Sequence, residues 1–177
     1  MAMCCAVNTS RHRGCGRAMN NNKKGFTLIE LVIVTVIMGI LASMGLPYYL
    51  KTVEVSKASD ALSIGHLLGN SYRMYLVDNP SLPLTGSITN ACNTGACDTS
   101  ATDACRLVRC NYVARQDWDS SSYSYSIGAA ADIAATVSRK TGASPGTNNT
   151  PYNGWGYTFS TTGGCAVVGE APSCPGF

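Results

Sequence analysis

One long apolar run near the N-terminus dominates the hydrophobic pattern of this chain. Residues 26–46 form a stretch of 21 residues with a single charged side chain, Glu30. About 20 residues of α-helix cross the roughly 30 Å hydrocarbon core of a bilayer. A secretory signal peptide has a shorter apolar core and ends at a small-residue cleavage site. The pattern therefore predicts a membrane-spanning helix over residues 26–46.

The helical pattern continues in amphipathic form over residues 51–78. Apolar and small residues recur at spacings of three and four, as Ala58, Ala61, Leu62, Gly65, Leu68, Tyr72, Tyr75 and Leu76. The pair Asn79-Pro80 then ends the pattern. We therefore predict a near-continuous helix over residues 26–78, about 80 Å long. Its second half offers one face to a globular head, residues 79–177.

Two residues weaken the helical preference of this segment. Gly39 is a poor helix former, and Pro47 lacks a backbone donor and clashes with the preceding turn. We expect the helix to be kinked or locally loosened at these positions. The alternative is that the helix ends at Pro47, where it leaves the membrane.

The globular head alternates between loop and strand signals. Residues 79–110 are predicted to form a loop, because Pro, Gly, Ser, Thr, Asn and Asp surround four cysteines. Strands are predicted at residues 111–116, 123–127, 131–139, 155–161 and 165–169, with a turn-rich loop at 141–154. A long helix packed on an antiparallel sheet, about residues 111–169, is an α+β fold.

Charge is sparse and unevenly distributed along the chain. Charged residues are 13% of the 177 residues and the net charge is +3, which argues against a disordered charged binder and indicates no specific nucleic-acid partner. Residues 1–25 carry five basic residues and no acid, whereas the remainder has a net charge of −2. The positive-inside bias keeps the basic segment cytoplasmic and sends the residues after 50 across the membrane.

Glu30 is the residue that a plain membrane anchor does not explain. On insertion scales an ionised side chain in a transmembrane segment is unfavourable by roughly 2.5–3.5 kcal/mol, so it usually has a partner or a task. No Lys, Arg or His lies between residues 25 and 50. The partner of this carboxylate must therefore come from elsewhere.

The stretch KKGFTLIELV, residues 23–32, closely resembles the processing motif of type IV pilins and the related pseudopilins. The motif is highly specific, and the resemblance covers about the first third of the chain. It implies that a prepilin peptidase of the inner membrane cuts between Gly25 and Phe26 and methylates the new amine of Phe26. It also implies that Glu30, the fifth mature residue, pairs with the N-terminal amine of a neighbouring subunit during assembly.

Two further expectations come from the same resemblance. Pilins similar to this chain also have a proline at the position of Pro47, and in related filaments the helix melts in this region, which corresponds to residues 39–47. A leader of 25 residues is long for a pilin whose mature chain begins with Phe. We expect Met19 to be the true start, which leaves a seven-residue leader.

Six cysteines lie in the globular head: Cys92, Cys97, Cys105, Cys110, Cys165 and Cys174. An even number after an export element indicates disulfides. A zinc site is not predicted, because no C-x2-C spacing occurs. The pair Cys165–Cys174 resembles the C-terminal disulfide loop of many pilins. Two arrangements remain for the others: Cys92–Cys97 with Cys105–Cys110, or Cys92–Cys110 with Cys97–Cys105.

Three functions are compatible with these features. The first is a pilin, a subunit that sits in the inner membrane with a periplasmic head and then polymerises with its own copies into an extracellular helical filament, through the pilus assembly machinery. The second is a pseudopilin of a type II secretion system; calcium is not predicted, because the last 25 residues hold one acid, Glu170. The remote third is a membrane-anchored exported enzyme, but no catalytic motif occurs and His66 is the only histidine after residue 25. We therefore expect no enzymatic activity, no cofactor and no metal.

Overall fold

The structure is a computed structural model that describes residues 25–141 and 151–175. The leader up to residue 24, with Met19, and most of the predicted loop 141–154 lie outside the described residues. The chain divides into two compact units, Met1–Ser43 and Met44–Phe177. The described part of the first unit is the start of a helix. The second unit contains the sheet and the disulfides.

One helix, α1, spans Leu28–Asp78 and includes Gly39 and Pro47. The predicted helix is confirmed, with a start two residues later than expected. Because α1 continues through Pro47, the alternative that the helix ends there is wrong. A proline inside a helix removes one backbone donor, and the turns on either side keep their own hydrogen bonds. The kink and the loosening at Gly39 and Pro47 stay predictions.

The C-terminal half of α1 buries the face that the periodicity predicts. Seven of the eight predicted residues are buried and Leu76 is half-buried. The buried face also includes three residues that the pattern missed: Glu54, Gly69 and Ser71. Glycine is hydropathically near neutral, and the polarity of serine and glutamate predicts exposure, so only tertiary contacts place these three residues on the inner face.

Five strands form one antiparallel sheet in the order β1-β2-β3-β4-β5. The elements after α1 are β1 (Gly86–Ile88), α2 (Cys105–Arg109), β2 (Tyr123–Ala130), β3 (Ile133–Arg139), β4 (Gly156–Ser160) and β5 (Cys165–Val168). Consecutive strands are neighbours, as expected for short connections. A long helix with this sheet confirms the predicted α+β fold.

The sheet has one buried face and one polar face. Across the first four strands, Ile88 pairs with Tyr125, Tyr125 with Val137, and Val137 with Tyr157, and all four side chains are buried. The next row contains Ser87, Ser126, Thr136 and Thr158, none of which is buried. This alternation is the period-two pattern of a half-buried antiparallel sheet.

Four of the five predicted strands are confirmed with shifted ends, and the strand at 111–116 is wrong. In that segment Asn111 has a left-handed backbone with φ of 62°, which asparagine tolerates. The N–H of Val113 donates to the carbonyl of Leu107 at 3.0 Å, so this segment bonds to α2 rather than to a strand. The predicted loop 79–110 likewise contains β1 and α2, which are too short to give a periodic signal.

Helix α1 approaches β4 closely at Gly65. A Cβ atom placed on Gly65 would lie 2.2 Å from the ring of Phe159 and 2.9 Å from a methyl group of Val137. The Phe159 ring therefore occupies the space where any other residue of α1 would have a side chain. Glycine at this position lets the helix and the sheet exclude water from their interface, at the expense of about 1 kcal/mol of helix propensity.

A buried ion pair joins α1 to the end of β3. Arg139 Nη2 donates to Glu54 Oε2 at 2.8 Å, and the Arg139 side chain is 0% exposed. Arg139 Nη1 donates to the carbonyl of Ser122 at 2.7 Å, and Lys57 Nζ donates to Glu54 Oε1 at 2.8 Å. The two carboxylate oxygens therefore have separate cationic partners, as a charge at this depth requires.

The cysteine pairing differs from both predicted arrangements in the loop before the sheet. The structure joins Cys92 to Cys105 and Cys97 to Cys110, so the two bridges interleave. Both bridges tie the turn Asn90–Asn93 and its following loop to α2. Spacing alone could not reveal this, because the pairing depends on how α2 packs against that turn. The third bridge joins Cys165 to Cys174, the pair that the resemblance implies.

Arg106 connects the disulfide-bonded loop to the C-terminal end of α1. Its guanidinium donates to the Asn79 side chain and to the carbonyl of Ala101, both at 3.1 Å, and lies 5.0 Å from the centre of the Tyr75 ring. The last turn of α1 contains no basic residue. A cation at this position interacts favourably with the negative end of the helix dipole, so Arg106 supplies from α2 what α1 lacks.

We expect peptide mapping without reduction to recover the interleaved pairing. Digestion with trypsin and Asp-N, followed by fragmentation of the linked peptides, should connect Cys92 to Cys105 and Cys97 to Cys110. Thiol alkylation before reduction should label none of the six cysteines. A link between Cys92 and Cys97, or between Cys92 and Cys110, would contradict the observed fold of this loop.

Replacing Glu54 with Gln should lower the free energy of unfolding by about 3 kcal/mol or more, because it removes the charged partner of a buried guanidinium. The measurement is urea unfolding of the mature chain in detergent, followed by tryptophan fluorescence. Asp132→Asn is the matched control: Asp132 is an exposed acid, and its loss should change stability by less than about 0.5 kcal/mol. Equal stability of both variants would show that the Glu54–Arg139 pair contributes nothing net.

Candidate functional site

The Gly25–Phe26 bond lies in non-helical chain immediately before α1. Residues 25–27 are exposed, and the Phe26 side chain is 89% exposed. A Cβ atom placed on Gly25 would meet nothing within 4 Å. Packing among the described residues therefore does not require glycine at position 25. A requirement for glycine there would come from a protein that acts on this bond.

A reciprocal capping box begins α1 at Thr27 and Glu30. The N–H of Thr27 donates to Glu30 Oε2 at 2.9 Å, and the Thr27 hydroxyl donates to the same oxygen at 2.8 Å. In return the N–H of Glu30 donates to Thr27 Oγ1 at 3.3 Å. This is the arrangement of the Thr-x-x-Glu capping motif, which satisfies backbone donors that a helix start leaves open.

The capping box turns the Glu30 carboxylate back toward Phe26. Its Oε2 atom is 2.9 Å from the nitrogen of Thr27, the residue next to Phe26. Among the described residues, Oε1 of Glu30 accepts no hydrogen bond. One carboxylate oxygen therefore holds the helix start, while the other is available to a donor from outside the chain.

Sequence reasoning identified Glu30 but missed its partner Thr27. The signal was present, because TLIE at residues 27–30 has the spacing of a capping box. The residues between 25 and 50 contain no cation that could pair with the Glu30 carboxylate. A hydroxyl and a backbone N–H three residues away satisfy part of the same carboxylate.

The surroundings of Glu30 are apolar and uncovered. Every residue from 25 to 52 is exposed, and Leu28, Leu31 and Val34 are among the large apolar side chains concerned. In the described part of the chain, α1 is the one helix long and apolar enough to cross a membrane, with a mean hydropathy of 2.3 in its most apolar 18-residue window. None of that window is buried within the chain, unlike the core helix of a soluble protein.

Gly39 and Pro47 lie within this exposed helical segment. A Cβ atom on Gly39 would meet nothing within 4 Å, so no contact among the residues that the structure describes explains the glycine. Near both residues, hydroxyls bond to helix carbonyls: Ser43 Oγ donates to Ile40 at 2.8 Å and Thr52 Oγ1 donates to Tyr48 at 3.0 Å. Side chains of this kind can satisfy backbone carbonyls where a helix loosens.

The features that would indicate an enzyme or a metal site have other roles in the described residues. No three His, Cys, Asp or Glu side chains there are arranged to hold a metal ion, and the six cysteines of the head form disulfides. The His66 ring packs edge-on against Phe159, with centroids 4.7 Å apart. The start of α1 is therefore the candidate functional site among the described residues.

The family model that matches this chain also covers the start of α1. Residues 20–46 match the family model described as the prokaryotic N-terminal methylation motif. The chain is similar to the type II secretion system core protein G of Pectobacterium carotovorum subsp. carotovorum, with 35% identity over 77 residues, which are 41% of this chain and 49% of that protein.

Pilins and fimbrial proteins match the chain at a similar sequence identity. The chain is 37% identical over 65 residues to the type IV major pilin protein PilE1 of Neisseria gonorrhoeae, which are 37% of this chain and 39% of that protein. It is also 37% identical over 73 residues to a fimbrial protein of Neisseria meningitidis serogroup B, which are 41% of this chain and 42% of that protein. Each match spans about half or less of the relative's own length. No solved structure matches the chain significantly.

Proposed function

We propose that this chain, a member of the type IV pilin and pseudopilin family by its N-terminal methylation motif, is the structural subunit of a type IV pilus. The observation that carries the proposal is the start of α1. An exposed Gly-Phe junction is followed by a capped helix whose carboxylate has one oxygen available, within an apolar surface that the other described residues leave uncovered.

The first proposed step is processing at the inner membrane. A prepilin peptidase would cut the bond between Gly25 and Phe26 and methylate the amine of Phe26. The exposure of this junction and its non-helical backbone support access by a protease. No described residue contacts the space where a side chain at position 25 would lie, which is consistent with selection of glycine by the peptidase. The basic residues before the junction favour a cytoplasmic leader and a periplasmic head.

The second proposed step is assembly into a helical filament of identical subunits. The apolar surface of α1 would leave the lipid and pack against the same segment of other copies. Glu30 would pair through its available oxygen with the amine of Phe26 on a neighbouring subunit. A charge in an apolar core is tolerated when it is paired and hydrogen-bonded, and the capping box already satisfies the other oxygen.

The disulfides of the head are suited to an oxidising environment outside the cytoplasm. Three disulfides link its loops, and oxidised cysteines persist in the periplasm and beyond. Each closes a short loop and should stabilise the head by roughly 2–3 kcal/mol on the chain-entropy model. The proposed subunit therefore resides first in the inner membrane and finally in an extracellular filament. Its role is structural rather than enzymatic.

A pseudopilin of a type II secretion system is the second candidate. Similarity to core protein G at 35% identity, close to the 37% to pilins, favours keeping it. Two features favour the pilus: a C-terminal disulfide loop, and the lack of a carboxylate cluster for calcium among the described residues. Deletion of the gene separates the two roles, because loss of sheared surface filaments indicates a pilus and loss of protein secretion indicates a pseudopilus.

The mature chain should begin with N-methylated Phe26. Intact-mass analysis of the subunit from the membrane should find residues 1–25 absent and one methyl group added. Gly25→Leu should leave unprocessed precursor in the inner membrane, whereas Gly39→Ala is a control that should be cleaved normally. Retention of the leader in the native subunit, or a start near residues 42–44, would contradict the proposal.

Glu30→Gln should be inserted and cleaved normally yet fail to enter filaments. Glutamine at this position still suits a capping box, so the variant removes the charge and keeps the helix start. Breaking a buried ion pair by removing one partner commonly costs about 3–5 kcal/mol, and the loss recurs at every subunit. The measurement is the number of filaments in electron micrographs, with subunit levels in the membrane determined by immunoblot.

Thr27→Ala is the matched variant for this experiment. It removes the cap, worth about 1 kcal/mol, and retains the Glu30 charge, so filaments should still form. Equal defects in both variants would assign the role of Glu30 to helix capping rather than to intersubunit pairing. Wild-type filament numbers with Glu30→Gln would refute the pairing, and failure of cleavage would place Glu30 in peptidase recognition.

A further inference from the structure

A cleft of about 300 Å³ lies in the second unit, between α1 and the segment 116–122. Its volume is at the lower end of the range for small-molecule sites, so it has room for one small ligand. Its floor includes Trp118 and Tyr125, which are 1% exposed and whose ring centres are 5.9 Å apart in an edge-to-face contact. None of these residues contributes to the processing or assembly described above.

The walls of the cleft present donors and acceptors together. Three consecutive serines, residues 120–122, and Gln116 supply groups that both donate and accept hydrogen bonds. Asp60 and Asp117 supply carboxylate acceptors, and the Lys57 ammonium supplies donors. Asp60 makes no hydrogen bond or ion pair among the described residues and is exposed at the mouth of the cleft.

The loop that forms one wall is held in place by side chains from elsewhere. Asn90 Nδ2 donates to Asp117 Oδ1 at 2.7 Å, and Asn90 Oδ1 accepts the N–H of Trp118 at 2.8 Å. Lys140 Nζ donates to the carbonyl of Asp119 at 2.8 Å. A wall already ordered in this way lowers the entropy that a ligand must remove on binding.

The charges of the cleft disfavour a simple cation as its ligand. Hydrogen bonds from Asn90 and Ser120 lower the pKa of Asp117, which therefore stays ionised at neutral pH. Asp60 is the second acid, but the Lys57 ammonium lines the same cleft, bound to Glu54 at 2.8 Å. A bound cation would meet this ammonium and could not use the donors of the serines and Gln116. In the residues that the structure describes, no three ligands converge for a metal ion.

We propose that this cleft binds a hydroxyl-rich small ligand, a single pyranose sugar. Adjacent sugar hydroxyls donate to the Asp60 and Asp117 carboxylates and accept from Ser122 and Gln116. The Ser120 and Ser121 hydroxyls already bond to the Asp117 carbonyl and the Tyr125 hydroxyl. The apolar C–H face of the ring packs against Ile64, a half-buried apolar residue of the cleft lining. The source is either a free monosaccharide or the terminal residue of a glycan, and the inference does not depend on filament assembly.

Saturation-transfer NMR on the mature chain in detergent tests this assignment. The probes are glucose, galactose, mannose and N-acetylglucosamine, each as the free sugar and as its methyl glycoside. At least one should give a saturable signal. Equal binding of the methyl glycoside indicates a glycan end, whereas binding of the free sugar alone indicates a soluble monosaccharide. No saturable signal from any probe would overturn the proposal.

Three variants locate the binding. Asp60→Asn changes an exposed helix residue that makes no described contact, so it should fold and raise Kd by about tenfold or more. Gln116→Trp fills the cleft and should abolish the signal. Asp132→Asn, the control, removes an exposed acid from the turn between β2 and β3 and should leave Kd within about twofold.

A second ligand class is tested with the same samples. Putrescine, a diamine that carries two positive charges at neutral pH, should not displace the sugar at millimolar concentration. Binding of putrescine without binding of any sugar would overturn the assignment and make the cleft an amine site. Sugar signals that are equal in all three variants would place the binding elsewhere on the chain and also overturn it.

Discussion

The contact between α1 and the sheet at Gly65 is the constraint on which the rest of the head depends. The Phe159 ring of β4 occupies the volume that a side chain at Gly65 would need, so helix and sheet meet without a gap. That approach brings Glu54 within 2.8 Å of Arg139 at the end of β3. A gap at this point would remove packing contacts between the apolar faces and separate the partners of this ion pair.

The same helix also anchors the loop region that precedes the sheet. Tyr75 Oη donates to the carbonyl of Leu82 at 2.8 Å, and Arg106 reaches from α2 to the Asn79 side chain. Interleaved disulfides then hold α2 against the turn Asn90–Asn93. Asn90 and Asn93 in turn bond to the segment 116–119 that forms a wall of the cleft. The helix thus holds in place a region whose buried apolar residues belong to the same hydrophobic core.

The N-terminal part of α1, in contrast, is exposed along its whole length. In the residues that the structure describes, its apolar side chains are uncovered, and its one acid is only half satisfied by Thr27. Such a surface is stable in lipid or against other copies, because both exclude water from it. The proposed function follows from this incompleteness. A segment that lacks partners in one subunit is the part of the molecule that an assembly can complete.

Local interactions explain what the sequence alone determined about this protein. Helix α1 was predictable over nearly its whole length, because an unbroken apolar run marks its first half and i, i+3 and i+4 periodicity marks its second. The strands at Tyr123 and Cys165 were predictable from alternation and turn residues. The capping box is equally local, but it pairs the acid with a hydroxyl and a backbone N–H rather than with the cation that a lone acid suggests. The importance of Glu30 was nevertheless evident from the cost of a lone acid in an apolar run.

Only the tertiary structure decided what depends on distant residues. The burial of Glu54 requires Arg139, which is 85 residues away. The disulfide pairing requires α2, whose five residues give no periodic signal. The segment 111–116 has strand-like residues, but the N–H of Val113 donates to Leu107 of α2 rather than to a strand. Loop-closure entropy and packing, rather than the preferences of the residues themselves, govern these choices, so only the folded chain could reveal them.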